Sequence, residues 1–115
     1  MRWLAFALGL IALPAMAGPY DGVYRPAADW AEGWDCRTIG SDGGALAVRD
    51  GKFFGVENTC DLTNPVNVRG MSATLYDAVC SGEGMVETER MMFMSSFEGL
   101  LLIRDGFAAE FKRCK

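Results

Sequence analysis

Histidine is absent from this chain of 115 residues, and with it goes much of the side-chain chemistry that enzymes run near neutral pH. A nucleophile–histidine pair cannot be assembled, and serines such as Ser72, Ser95 and Ser96 would need a lysine base that no sequence feature marks. Proline is scarce, at four residues. Missing too is any window of about 12 residues or more with a 3.6-residue apolar period, which excludes a helical core. The exception is Pro26 to Gly33, where a single helical turn would bring Trp30 close to Trp34. Close C-x-x-C pairs are lacking: Cys36, Cys60, Cys80 and Cys114 stand 24, 20 and 34 positions apart. That spacing argues against a four-cysteine zinc site and for disulfides.

Positive charge is thin and scattered. Eleven basic side chains face 15 acidic ones, a net charge of −4, and only Lys112, Arg113 and Lys115 lie together. Phosphate binding needs a concentrated basic footprint, so nucleic acid is excluded as a partner.

Long hydrophobic runs are also missing, apart from WLAFALGLIAL between Trp3 and Leu13. Arg2 precedes this run, and Ala15-Met16-Ala17 follows it as a small-x-small cleavage site. The run is shorter than the roughly 20 residues that cross a bilayer. Residues 1–17 therefore read as a signal peptide and 18–115 as a single small exported β domain, periplasmic and without a stable membrane anchor after cleavage. No cysteine directly follows the site, so no lipid attachment is expected there. Cleavage removes Arg2 alone among charged residues, leaving 10 basic and 15 acidic side chains and a net charge of −5.

What the chain does have is turn punctuation: Asp21-Gly22, Asp42-Gly43-Gly44, Asp50-Gly51, Ser81-Gly82-Glu83-Gly84 and Asp105-Gly106. Glycine reaches positive φ without steric strain and aspartate tolerates the same bends. Asp50-Gly51 and Asp105-Gly106 sit between β-rich runs as two-residue hairpin loops. Further strands are expected over residues 34–39, 66–70, 73–81 and 85–94. In the last strand Phe107, Ala109 and Phe111 alternate with Ala108, Glu110 and Lys112, one face for a core and one for water. The fold class is all-β, a small antiparallel up-and-down barrel or sandwich with two disulfides.

Four cysteines allow three pairings. In a meander whose first strand begins upward at Cys36, Cys60 and Cys80 share the upper end and Cys36 and Cys114 the lower one. A disulfide needs Cα atoms within about 7 Å, whereas a five-residue strand separates its ends by roughly 17 Å. Cys60–Cys80 and Cys36–Cys114 follow; Cys36–Cys60 with Cys80–Cys114 is the alternative for another strand order.

Glu57, the run Cys60-Asp61-Leu62-Thr63-Asn64-Pro65, the run Cys80-Ser81-Gly82-Glu83-Gly84, Arg90 and the closing Arg113-Cys114 resemble small uncharacterised periplasmic four-cysteine proteins of alphaproteobacteria. The resemblance implies periplasmic location and paired cysteines, and brings no activity. At fold level the chain is also similar to the periplasmic lysozyme inhibitors of the small β-barrel type, an analogy without matched motif residues.

Four groups of side chains invite a functional reading. Met91-Met92-Met94 supplies soft thioethers suited to Cu(I), although alternation splits them between two faces of a strand and leaves core filling as the simpler account. Glu83, Glu87 and Glu89 form an acidic cluster that a carboxylate-dependent hydrolase would need in one cleft. Their plainer reading is a solvated face. Arg90 shares strand parity with Val86, Met92 and Met94, so a buried ion pair with Glu57 or Glu83 is expected. Trp30 and Trp34 either plug the open end of a barrel or form a binding surface.

No cofactor or metal is called for. The expected work is non-catalytic binding, inhibitor-like, of an exported protein or cell-envelope component. A carrier of a small apolar ligand is the alternative, and a carboxylate-dependent hydrolase the third. A filled interior would separate binding module from carrier.

Overall fold

The computed structural model describes residues 18–115; the expected signal peptide, residues 1–17, lies outside the described residues. Eight strands follow one another: β1 Gly22–Pro26, β2 Leu46–Arg49, β3 Lys52–Gly55, β4 Asn58–Asn67, β5 Ala73–Gly82, β6 Met85–Ser95, β7 Gly99–Arg104 and β8 Phe107–Arg113. Each pairs with the next, and β1 closes on β8 through Tyr24↔Arg113, Arg25↔Lys112 and Pro26↔Phe111. The architecture is a closed antiparallel up-and-down barrel.

Its hairpins form where the sequence permits positive φ. Asp50-Gly51 between β2 and β3 has φ of 53° and 73°, and Glu83-Gly84 between β5 and β6 has 51° and 79°. Two successive positive values are what a type I′ turn demands, and its twist matches that of the strands it joins.

Alternation then sorts the side chains. Tyr24, Leu46, Phe53, Met91, Phe93, Leu100, Leu102 and Phe111 turn inward and are buried. Phe93 sits at the centre, with the rings of Tyr20, Phe53 and Tyr76 meeting it edge-on at 5.6–5.7 Å, and Phe53 stacks on Phe111 at 6.2 Å. An eight-stranded barrel is just wide enough for side chains to fill it, and here aromatic rings do so. Gly99 lets β7 approach β8, since a Cβ there would lie 2.2 Å from the Phe111 carbonyl oxygen. One end of the barrel is stopped by Tyr20, whose hydroxyl lies 2.8 Å from Thr74 Oγ1. The Tyr24 hydroxyl donates to the Tyr20 carbonyl, and burial pushes that phenol's pKa up against the opposing pull of Arg113.

Two expected strands are not formed. Residues 34–39 belong to the long connection between β1 and β2, because Asp35 turns the backbone back on itself. Its Oδ1 accepts the N–H groups of Arg37 and Thr38 at 2.7 and 2.9 Å, and Cys36 adopts φ 60°. The strand that opens the barrel lies earlier, at Gly22–Pro26, just past the Asp21-Gly22 signal. Residues 66–70 are likewise no separate strand. Val66 and Asn67 end β4 after an irregularity between Thr63 and Val66, where Asn64 takes φ 51° and Pro65 has no N–H to give the ladder.

Both disulfides pair as the meander argument requires. Cys60 and Cys80 face each other directly across β4 and β5, with Cα atoms 3.9 Å apart. Cys36 joins Cys114 with Cα atoms 5.8 Å apart. Cys36 lies in the β1–β2 connection and not on a strand, so this bond ties that connection to the end of β8, where the Cys114 N–H bonds the Val23 carbonyl. Two disulfides fit an oxidising, extracytoplasmic compartment. No helix among the described residues is long and apolar enough to cross a membrane.

Candidate functional site

The barrel end opposite Tyr20 is built differently. The connection from β1 to β2 rises over it, and the single helical turn expected within Pro26 to Gly33 is a 3-10 turn at Asp29–Ala31 that carries Trp30. Ala31 is fully buried and anchors that turn, while its carbonyl accepts from the Trp34 N–H at 3.2 Å and from Arg25 Nη1 at 3.4 Å. The two indoles meet at 6.1 Å, inclined by 62°. Trp34 is half-buried and packs on the core, as a plug would; Trp30 is 71 % exposed. Between them and the inner residues Leu46, Phe53, Phe107 and Phe111 lies an apolar cleft of about 630 Å³. Phe107 continues the inward parity of Ala109 and Phe111, yet stands 55 % exposed because it reaches the rim.

Beside this cleft the β5–β6 hairpin overhangs the barrel. β6 pairs with β5 along its length from Met85 to Met94, whereas pairing with β7 begins only at Met91. Glu87 and Glu89 have the parity of Met91 and Phe93, so they continue the inner face above the core. The expected division of β6 is therefore reversed. Arg90, Met92 and Met94 point outward, and Arg90 is 67 % exposed with its Nε 2.9 Å from Asp77 Oδ1. The buried pair of Arg90 with Glu57 or Glu83 is not formed. The apolar residues Val86, Met92 and Met94 suggest an inner face, but the outer wall of the barrel is itself apolar, with Leu75 and Ile103 opposite Met92 and Leu101 opposite Met94. Asn64 and Arg90 together hold the Asp77 carboxyl below the usual carboxylate range. The methionine sulfurs do not converge, since Met91 faces the core and its neighbours face out.

Arg104 carries no sequence motif that marks it for a site. Parity finds it: following Leu100 and Leu102 along β7, Arg104 faces inward at the mouth, where its Nε donates to Glu89 Oε1 at 2.9 Å. Glu57, Glu83, Glu87 and Glu89 line a smaller cleft of about 260 Å³ around this pair. Val56, Asn58 and Arg104 border both clefts. The mouth is thus one continuous surface, aromatic on the side of Trp30 and acidic on the side of the overhanging hairpin.

The class defined by these features is a small disulfide-tied up-and-down barrel with a filled interior and an open, two-sided mouth. Comparisons with known protein families, curated proteins and solved structures give no match.

Proposed function

We propose that this protein is a periplasmic, inhibitor-like binding module whose barrel mouth engages another exported protein or a cell-envelope component without turnover. The observation that carries the reading is Trp30, 71 % exposed beside an open apolar cleft on top of a packed core. A large aromatic held out on a rigid scaffold is what anchors protein interfaces, because it contributes much apolar area for little conformational entropy. The two disulfides and the Ala15-Met16-Ala17 site support export. The rings around Phe93 fill the barrel below the mouth, and the cleft above them is open beside Trp30, which favours a surface contact over enclosure of a small apolar ligand.

The test is affinity capture from native periplasm with the mature oxidised protein and with Trp30→Ala, each checked for an unchanged melting temperature. Partners retained by the wild type and lost by the variant are expected. Identical capture by both would remove the mouth from the reading.

A further inference from the structure

The overhang of β6 leaves backbone groups facing out with no partner strand among the described residues. Ser95 donates its N–H toward β5, to the Ser72 carbonyl at 3.0 Å. Strand N–H groups alternate in direction, so Glu87 and Glu89 also face β5, while Val86 and Thr88 direct N–H and C=O to the opposite side. There β7 has already turned away at Arg104. Natural sheets blunt such edges with proline, bulges or charged side chains; here β6 contains no proline, Met85 and Val86 are 62 % and 70 % exposed, and the charges on residues 85–89 are Glu87 and Glu89, which repel an acidic strand and not a basic one.

We infer that residues 85–89 of β6 are a docking edge for an extended, positively charged segment of another exported protein, added as a further strand. This rests on the barrel mouth being the binding surface and names the chemistry of what binds. A strand laid along this edge would hydrogen-bond Val86 and Thr88. Alternate side chains would then fall on the cleft side, against Glu87 and Glu89, and on the outer side, against Val86. Basic residues suit the position beside Glu87, since Arg104 already answers Glu89, and apolar ones suit the outer positions. A second copy of this chain is a poor occupant, because pairing two such edges would bring both sets of glutamates together.

The experiment uses the oxidised mature protein and a short fluorescent peptide alternating lysine and valine, with a glutamate–valine peptide as its opposite. The lysine peptide is expected to bind at least roughly tenfold more tightly, to weaken with salt, and to protect the Val86 and Thr88 amides from hydrogen exchange. Thr88→Pro removes one outward N–H without touching the β5 ladder and is expected to lose roughly tenfold in affinity. Thr88→Ala, which keeps the N–H, is expected to bind as the wild type does. No binding, equal binding of both peptides, or protection elsewhere than Val86 and Thr88 would overturn the docking edge. So would unchanged affinity in a folded Thr88→Pro protein. Partner capture that depends on Trp30 but not on Thr88→Pro would leave the mouth standing and the edge refuted.

Discussion

Tyr20 and Thr74, 54 positions apart in sequence, place their hydroxyl oxygens 2.8 Å from each other at the closed end of the barrel. The phenol ring lies edge-on to Phe93 and only 4 % of Tyr20 is exposed, so a residue preceding the first strand completes the core. Tyr20→Ala is expected to destabilise the fold by about 3 kcal/mol, the range for truncating a buried ring. Tyr20→Phe, which keeps the ring and loses the hydrogen bond, should lose about 1 kcal/mol. Urea unfolding with an unchanged slope measures both, and equal stabilities for Tyr20→Ala and wild type would show that Tyr20 does not stop the barrel.

Reduction is expected to lower stability by several kcal/mol. In the chain-entropy account, Cys60–Cys80 contributes about 3 kcal/mol and Cys36–Cys114, which closes the longer loop, about 4.5 kcal/mol. Thermal unfolding with and without reductant, and of Cys36→Ser/Cys114→Ser beside Cys60→Ser/Cys80→Ser, separates the two. The larger loss is expected on opening Cys36–Cys114.

Strong acid is expected to weaken the β1–β2 connection. Hydrogen bonds from Thr38 Oγ1 and from the Thr38 and Arg37 N–H groups hold the Asp35 pKa down to about 2. A carboxyl depressed on folding stabilises fully above its ordinary value, near 3.8, and the contribution disappears as pH falls toward about 2. A carbon-detected titration of Asp35 is expected to show a midpoint near 2. Asp35→Ala should remove that part of the pH dependence; a midpoint near 4 in the wild type would show that Asp35 does not organise the turn.

Glu57, Glu83, Glu87 and Glu89 around one cleft give the hydrolase reading its geometry, and Arg104 bonded to Glu89 gives the binding reading its own. Purified peptidoglycan and simple glycosides are expected to remain intact with the oxidised protein. Activity that disappears in a folded Glu83→Gln/Glu87→Gln/Glu89→Gln variant would replace binding by turnover as the function.

Turn chemistry and alternation made most of this fold legible. Asp50-Gly51 and Asp105-Gly106 mark their hairpins directly, and Phe111 and Ala109 face inward as their spacing indicates. The disulfide pairing follows from meander geometry even though Cys36 lies off the strands. Reading failed where one side chain redirects the backbone, as Asp35 does over residues 34–39, and where both walls of a strand are apolar. On β6, hydrophobicity alone cannot say which wall faces in, and Arg90 lands outside while Glu87 and Glu89 land at the mouth. The aromatic half of that mouth was visible in Trp30 and Trp34. Its polar half depended on how far β6 outruns β7, a matter of register that composition does not encode.

The seam between β1 and β8 also sets a timetable. A chain delivered amino end first presents β1 long before its second neighbour exists, and residues 107–114 supply both the missing strand and the thiol that Cys36 requires. Until those residues are in place, the growing sheet keeps two open edges and an unmatched cysteine, the state most exposed to wrong pairing and to capture by other chains. Closure therefore waits on β8, and the bond from Cys36 to Cys114 then locks a seam that no earlier strand could complete.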